Sequence, residues 1–285
     1  MHGCTIVRRK RLVMPGRTIA RETPVRKRVA HAGNGASTDD VMEATLGALR
    51  ARIVPVPDVD AATRAQMWAL FSRYYCDAPE AAFTRDLDAK HHVIVLRSNG
   101  GALAGFTTLE TWVQEVQGRR VVIVYSGDTI VDERYWGQTV LQRAFFRYIV
   151  RGKVLHPFLP VYWFLISKGY KTYLLLTRNF PVHWPRHDRA TPPFEAALLE
   201  ALARRKFEAR WDPTRGVLRH LEGTGKLKAN VAPVDTELLA NNPDARFFVE
   251  RNPGHAHGDE LCCIGLSDVA MWLTYLAKLA RRVLR

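Results

Sequence analysis

A chain of 285 residues, 47% hydrophobic and 25% charged, can bury a sizeable core in one large or two small domains and is too apolar for general disorder. Its formal net charge of +14 is unevenly placed, because Met1 to His31 holds nine Lys or Arg against the single acid Glu22; the excess belongs to that tail and not to a basic fold. No run of 18 apolar residues occurs, and the N-terminus lacks the apolar stretch of a signal peptide, so neither a membrane span nor a secretory leader is expected.

Residues 1–40 are basic, rich in small side chains and without a clear period, and are read as a mobile tail. The alternative is an arm for nucleic acid or acidic lipid, built on Arg8-Arg9-Lys10-Arg11 and Arg26-Lys27-Arg28. Arg52 to Pro57 reads as a short strand. Asp60 to Tyr75 has helical spacing, with Met67, Trp68, Phe71 and Tyr74 or Tyr75 on one side. Pro79 to Asp88 reads as a second helix, with Phe83 and Leu87 four apart. His92 to Arg97 is an apolar strand, Asn99-Gly100-Gly101 a hairpin turn, and Leu103 to Val116 the returning strand. Gly118-Arg119-Arg120 turns the chain again into the strand Val121 to Val131.

Trp136 to Lys153 is helical, and Pro157 and Pro160 break it. Val161 to Ser167 is expected as a further helical turn, closed by Gly169, and Lys171 to Thr177 as a strong strand beside Val121–Val131. Phe180 to Pro193 is irregular. Phe194 to Arg205 reads as a helix and Gly216 to Leu221 as a short strand. Phe247 to Glu250 and Glu260 to Ile264 are expected as strands around Pro253-Gly254. Asp268 to Leu284 reads as a basic amphipathic helix capped by Ser267 or Asp268. The expected organisation is a tail (1–40), a core domain (41–225) and a C-terminal extension (226–285).

The densest information lies at Thr129-Ile130-Val131-Asp132-Glu133-Arg134-Tyr135-Trp136-Gly137-Gln138-Thr139-Val140-Leu141. A strand that stops at a tight turn and feeds a helix leaves the first helical N–H groups unpaired. Those donors, with the positive end of the helix dipole, suit a phosphate. The block resembles the signature turn of the Gcn5-related N-acetyltransferase (GNAT) superfamily, in which Gln or Arg, two residues, Gly, one residue, then Gly or Ala hold the pyrophosphate of coenzyme A. Arg134 and Gly137 fit; Thr139 stands where Gly or Ala is usual. The element order over residues 52 to about 220 agrees. The resemblance implies an α/β fold with the mixed central sheet of the acyl-CoA N-acyltransferase fold, flanking helices and a C-terminal extension. It also implies transfer of an acyl group from acyl-CoA, or from an acyl carrier protein as in the acyl-homoserine-lactone synthases of the same fold, to a small amine.

On that resemblance, N–H groups near Thr129, Ile130 and Val131 polarise the thioester carbonyl. Arg134, Gly137, Gln138, Thr139 and Val140 hold the diphosphate, and Asn179 or Arg178 contacts the pantetheine arm. Direct attack on a thioester needs a base for the amine and a proton for the leaving thiolate. Asp128 follows Gly127 inside the strand and is the base candidate; the alternative is a bulge residue paired with an Arg. Glu110 is the second candidate. The family's usual acid is a Tyr soon after the later strand, but no Tyr occurs from Leu174 to Arg219. His183 and His187 are therefore the acid candidates.

His255, His257, Asp259, Glu260, Cys262 and Cys263 carry metal-capable groups without a zinc spacing, so no metal is expected. Cys4, Cys76, Cys262 and Cys263 show no disulfide framework, which points to a reducing cytoplasm. Phe158 to Ile166 holds four aromatics in nine residues and suits the lining for a medium or long acyl chain. Trp272, Tyr275, Leu276 and Leu279 give the last helix an apolar face for a membrane surface. The rival readings are a nucleic-acid-binding protein that uses the tail, and an inactive scaffold with the same fold.

Overall fold

The computed structural model describes residues 48–273, 275 and 277; the basic tail lies outside them. Strand β1 (Arg50–Pro55) leads through helix α1 (Ala61–Tyr74), the short strand β2 (Tyr75–Cys76) and helix α2 (Glu80–Asp88) to strands β3 (His92–Arg97), β4 (Leu103–Val116) and β5 (Arg119–Val131). Helix α3 (Val140–Leu155), strand β6 (Val161–Ser167) and helix α4 (Tyr170–Asn179) follow. The short strand β7 (His183–Trp184), helix α5 (Pro193–Phe207) and strands β8 (Trp211–Asp212), β9 (Val217–Leu218) and β10 (Lys226–Leu227) come next. Helices α6 (Thr236–Asn241) and α7 (Pro243–Arg251), strand β11 (Glu260–Ser267) and a helical segment from 269 complete the described chain.

The main sheet runs β1-β3-β4-β5-β6-β11-β9-β8, with β7 beside β11, and β2 pairs with β10 in a separate ribbon. Among the described strands, β5 and β6 form the parallel pair; the other pairings are antiparallel. This is the mixed central sheet with flanking helices expected of the acyl-CoA N-acyltransferase fold. Local chemistry fixes its punctuation. The Asp60 carboxylate accepts from the Thr63 N–H and starts α1. Gln117 and Gly118, both at positive φ (50° and 72°), make the two-residue turn between β4 and β5.

Three expectations are corrected. Val161–Ser167 is not a helical turn but β6, the parallel neighbour of β5. Lys171–Thr177 is not that neighbour but lies in α4, with Tyr173, Leu174 and Leu176 buried. Phe247–Glu250 lies inside α7, which starts from the Asn242 side chain and Pro243. The strand expected at Glu260–Ile264 exists and runs to Ser267, hydrogen-bonded to β6 along its length. The C-terminal part of the chain therefore supplies a central strand and does not merely trail the domain. Asp268 caps the last helical segment through the Met271 N–H.

Both faces of the sheet are covered. One face packs Val122, Val124, Trp163, Leu165, Leu261 and Cys263 against α3, α4, α7 and Met271. The other packs Val121, Ile123, Tyr125, Phe164, Cys262 and Ile264 against α5, and Val93, Val95, Phe106 and Ile130 against α1 and α2. Alternation along β5 thus puts 122 and 124 on the α3 face, yet Ile130 on the opposite face and Val131 on the α3 face. The parity has flipped between 125 and 130.

Candidate active site

The flip has a cause in the ladder. Leu109 pairs with Ser126 and Thr107 with Thr129, so Gly127 and Asp128 together oppose Thr108 in a β-bulge. Glycine is required there, since a Cβ on residue 127 would come within 2.5 Å of the Thr108 hydroxyl and 3.1 Å of the Lys90 stem. The bulge falls where β5 leaves β6, because their parallel pairing ends at Ser126 and Leu165. Beyond it the two strands form a wedge. The Asp132 N–H bonds to Ala104 on the β4 side. By alternation along the strand, the N–H groups of Val131 and Thr129 face the wedge.

A cavity of about 400 Å³ passes through the wedge and reaches both faces of the sheet. On the α1–α2 side its wall holds Phe71, Tyr75, Phe83, Asp86, Asp128 and Lys168, with Arg210 and Glu260. On the α3–α4 side it is lined mainly by apolar side chains, with Gln142, Lys171, Thr172 and Asn179. Asp128 sits between the two. Burial, with Asp86 and Glu260 nearby, pushes its carboxyl up to about 7, against the opposing pull of Lys168 and Lys90. Its side chain is half-buried and borders the cavity, so a ligand can reach it. The neighbouring charges are themselves held. Lys90, buried, donates to the Asp86 backbone carbonyl at 2.9 Å and pairs with the Asp86 carboxylate at 2.5 Å. Glu260 takes Arg210 at 2.7 Å, with Lys168 at 3.7 Å.

The turn after β5 has an open helix terminus. Thr139 is the N-cap residue of α3 without a side-chain cap, and the first helical bond at this end is Arg143 N–H to Thr139. The N–H groups of Val140, Leu141 and Gln142 therefore have no carbonyl one turn back in the helix. Gly137 adopts φ +93°, which favours glycine. Arg134 folds back on Asp132 through two bonds of 3.0 and 2.9 Å, and Arg73 joins from α1 at 2.7 Å. These partners hold the Asp132 carboxyl well below the usual range. Arg134 thus braces the turn. Ile130 is buried in the α1–α2 core, and Gln138 donates its N–H to Tyr135. Asn179 is in the cavity wall at the end of α4.

The remaining candidates lie elsewhere. His183 is buried in β7 with Nδ1 on the Phe180 carbonyl, burial lowers its pKa, and it is not in the cavity wall. His187 pairs with Asp244 at 3.0 Å, also outside the cavity. Glu110 binds Lys206 at 2.6 Å with Lys90 at 3.7 Å, outside the cavity wall. The strand parallel to β5 is β6 and not Lys171–Thr177, so the family's tyrosine position falls after β6. After β6 stand Tyr170 and Tyr173, yet Tyr170 packs on the α3-face core and Tyr173 donates its hydroxyl to Pro185. Tyr75, Tyr125 and Tyr275 line the cavity, and burial raises Tyr75 and Tyr125, so these two stay protonated at neutral pH. The metal-capable cluster is dispersed: Cys262 and Cys263 point to opposite faces of the sheet, and Asp259 and Glu260 pair with Arg219 and Arg210.

No family model matches the chain, and no curated protein does. Solved structures do. A GNAT-family N-acetyltransferase of Escherichia coli, in complex with CoA, is 20% identical over 48% of this chain and 77% of its own, with a TM-score of 0.33. An acyl-CoA N-acyltransferase of Pseudomonas aeruginosa is 18% identical over 41% and 79%, at 0.31. A ribosomal-protein-alanine N-acetyltransferase of Brucella melitensis is 14% identical over 51% and 97%, at 0.36. At these values the likeness decides neither activity nor ligand for this chain. The strand order and the wedge carry the description of the fold.

Proposed function

We propose that the protein is an N-acyltransferase that moves an acyl group from a thioester donor, acyl-CoA or acyl carrier protein, to an amine. The observation that carries this reading is the Asp128 carboxyl, held near 7 on a bulge at the mouth of a wedge that opens to both faces of the sheet. A base with that pKa is half-ionised at neutral pH and accepts an amine proton without a large energy gap. The donor thioester enters from the α3 side, with its phosphates at the open N-terminus of α3. The Val131 and Thr129 N–H groups face the wedge and suit the carbonyl oxygen as it gains charge. The amine comes from the α1–α2 side. Its nitrogen bonds to the carbonyl carbon, its proton passes to Asp128, the C–S bond breaks, and the thiolate leaves as the thiol with the proton that Asp128 returns. Acyl-CoA is the donor in this reading, and a carrier protein is the alternative that presents the same arm.

The test is thiol release from acyl-CoA, and separately from acyl carrier protein, by the purified protein with a panel of primary amines, and mass detection of the amide. Amine-dependent release that disappears in Asp128→Asn supports the reading. Release at equal rates in wild type and variant, or none with any amine and either donor, rejects it.

A further inference from the structure

We infer that the α3–α4 arm of the cavity is a binding site for an alkyl chain of medium or long length, and that Met271 and Tyr275 of the C-terminal helical segment set the length it accepts. The inference rests on the proposed acyl transfer for its occupant, and on the cavity itself for its chemistry.

The arm continues from Asp128 under α3 and is walled by Leu141, Phe145, Phe146, Trp163, Leu165 and Phe180. Trp163, which stands on β6 at the last paired rung but two, packs against both Phe145 and Phe180, with ring centroids 4.9 and 5.1 Å apart. Its indole N–H is already bonded to Ser126 at 2.9 Å, so it offers a ligand an apolar face only. The polar side chains that the two helices add are Gln142 in the first turn of α3, Lys171 and Thr172 at the start of α4 and Asn179 at its end; Lys171 donates to the Val231 carbonyl at 2.9 Å and Asn179 back to the Leu175 carbonyl at 2.7 Å. The stretch between these polar groups is apolar and suits methylenes. An acetyl group needs none of this lining.

Met271 and Tyr275 border the same cavity. Met271 is buried, and the Tyr275 ring stacks on Phe146 at 3.5 Å between centroids, with Trp272 edge-on to Phe146 at 4.5 Å. The segment from 269 is thus the far wall of the arm, built from flexible or stackable side chains that meet a chain end. Phe158, expected in the lining, is exposed instead at 95%. The apolar face of the last helix, as far as Trp272 and Tyr275 show it, is turned to α3 and not to a membrane.

The test uses the full-length protein and non-cleavable acyl-pantetheine thioethers of increasing chain length, with binding read by calorimetry. This readout needs no turnover and no choice between CoA and carrier donor. Affinity is expected to rise about three- to fourfold per added methylene up to a limit, then to level or fall. Met271→Trp should move that limit to shorter chains, while Met271→Leu leaves it in place. Asp128→Asn should bind the series as wild type does. A flat or declining series in wild type overturns the inference, whatever the variants do, and so does a limit unmoved in a folded Met271→Trp protein. A rising series with no amine ever acylated keeps the alkyl site and rejects the proposed activity, so the two failures are distinguishable.

Discussion

The two arms of the cavity differ in kind. On the α1–α2 side, Asp86, Asp128 and Glu260 face Lys168 and Arg210, with Lys90 behind, and the charges are largely balanced in pairs. On the α3–α4 side the wall is mostly aromatic and aliphatic, and Lys171 is the one charged side chain that the two helices bring to it. The difference shows how a single opening in a sheet can separate tasks. Proton transfer needs a low-dielectric cluster that leaves one carboxyl unsatisfied, and Asp128 is the carboxylate of that cluster for which the structure provides no ion pair. Substrate choice needs area, and area is on the other side. The bulge at Gly127 joins the two, since it flips β5 so that the carboxylate and the wedge-facing N–H groups lie together.

The largest expected effect breaks the polar arm alone. Asp128→Asn should lower kcat by on the order of 10²–10⁴ and leave donor affinity unchanged. Loss of donor binding in a titration of that variant would show that the arms are not separate. Next is Gly127→Ala. Its Cβ meets the Thr108 hydroxyl, so the bulge must shift, and misplacement of the base by about 1 Å costs ~10²-fold in kcat. A variant with full turnover and an unchanged pH profile would separate the bulge from catalysis.

The pH dependence has opposite signs for rate and for stability. Turnover should fall about tenfold per unit below pH 7, as the Asp128 carboxyl, held at about 7, takes up its proton. Stability goes the other way. The folded chain holds that proton more tightly than the unfolded chain, whose carboxyl titrates near 3.8, so stability is lost as pH rises from about 4 to 7. Asp128→Asn removes that loss and should exceed wild type by on the order of 1–4 kcal/mol at pH 8, with the gap closing by pH 4. Denaturant melts at the two pH values measure it. Equal stability at both would mean that Asp128 is solvated and ordinary.

The smallest effect concerns the turn. Gly137→Glu places a side chain and a negative charge at φ +93°, beside the open N-terminus of α3. Donor affinity should fall on the order of tenfold or more, with kcat at saturating donor nearly kept. Unchanged affinity would remove the phosphate site from the turn.

What could be read in advance follows the same division. Strands β1, β3, β4 and β5 and helices α1 and α2 were legible, because β3, β4 and β5 lie between turn signals and α1 and α2 have one-sided apolar spacing, whereas the two-residue β2 was not. Val161–Ser167 was misread because a strand buried on both faces has no alternation, and a short apolar run fits a buried helix as well. Its Val, Tyr, Trp, Phe and Ile argued for a strand, and that enrichment was the signal available. The Asn242-Pro243 pair similarly announced α7 against the strand propensity of Phe247-Phe248-Val249. Asp128 was legible from its place after a mid-strand glycine. Asp86, Lys168, Arg210 and Glu260 were not, since they come from four separate places in the chain and no spacing links them. The acid candidates His183 and His187 followed from the misplaced strand.

The position of β11 has a consequence for how the chain is made. β6 forms one flank of the wedge, and its other edge is held by β11. That partner is synthesised roughly a hundred residues later, on the order of 5–20 s at common rates of translation. Until then the emerging chain presents Val161 to Ile166 as an unpaired apolar edge, which is the form most prone to join a neighbouring nascent chain. A ribosome that stalls before Glu260 therefore leaves a sticky intermediate and not a smaller working protein.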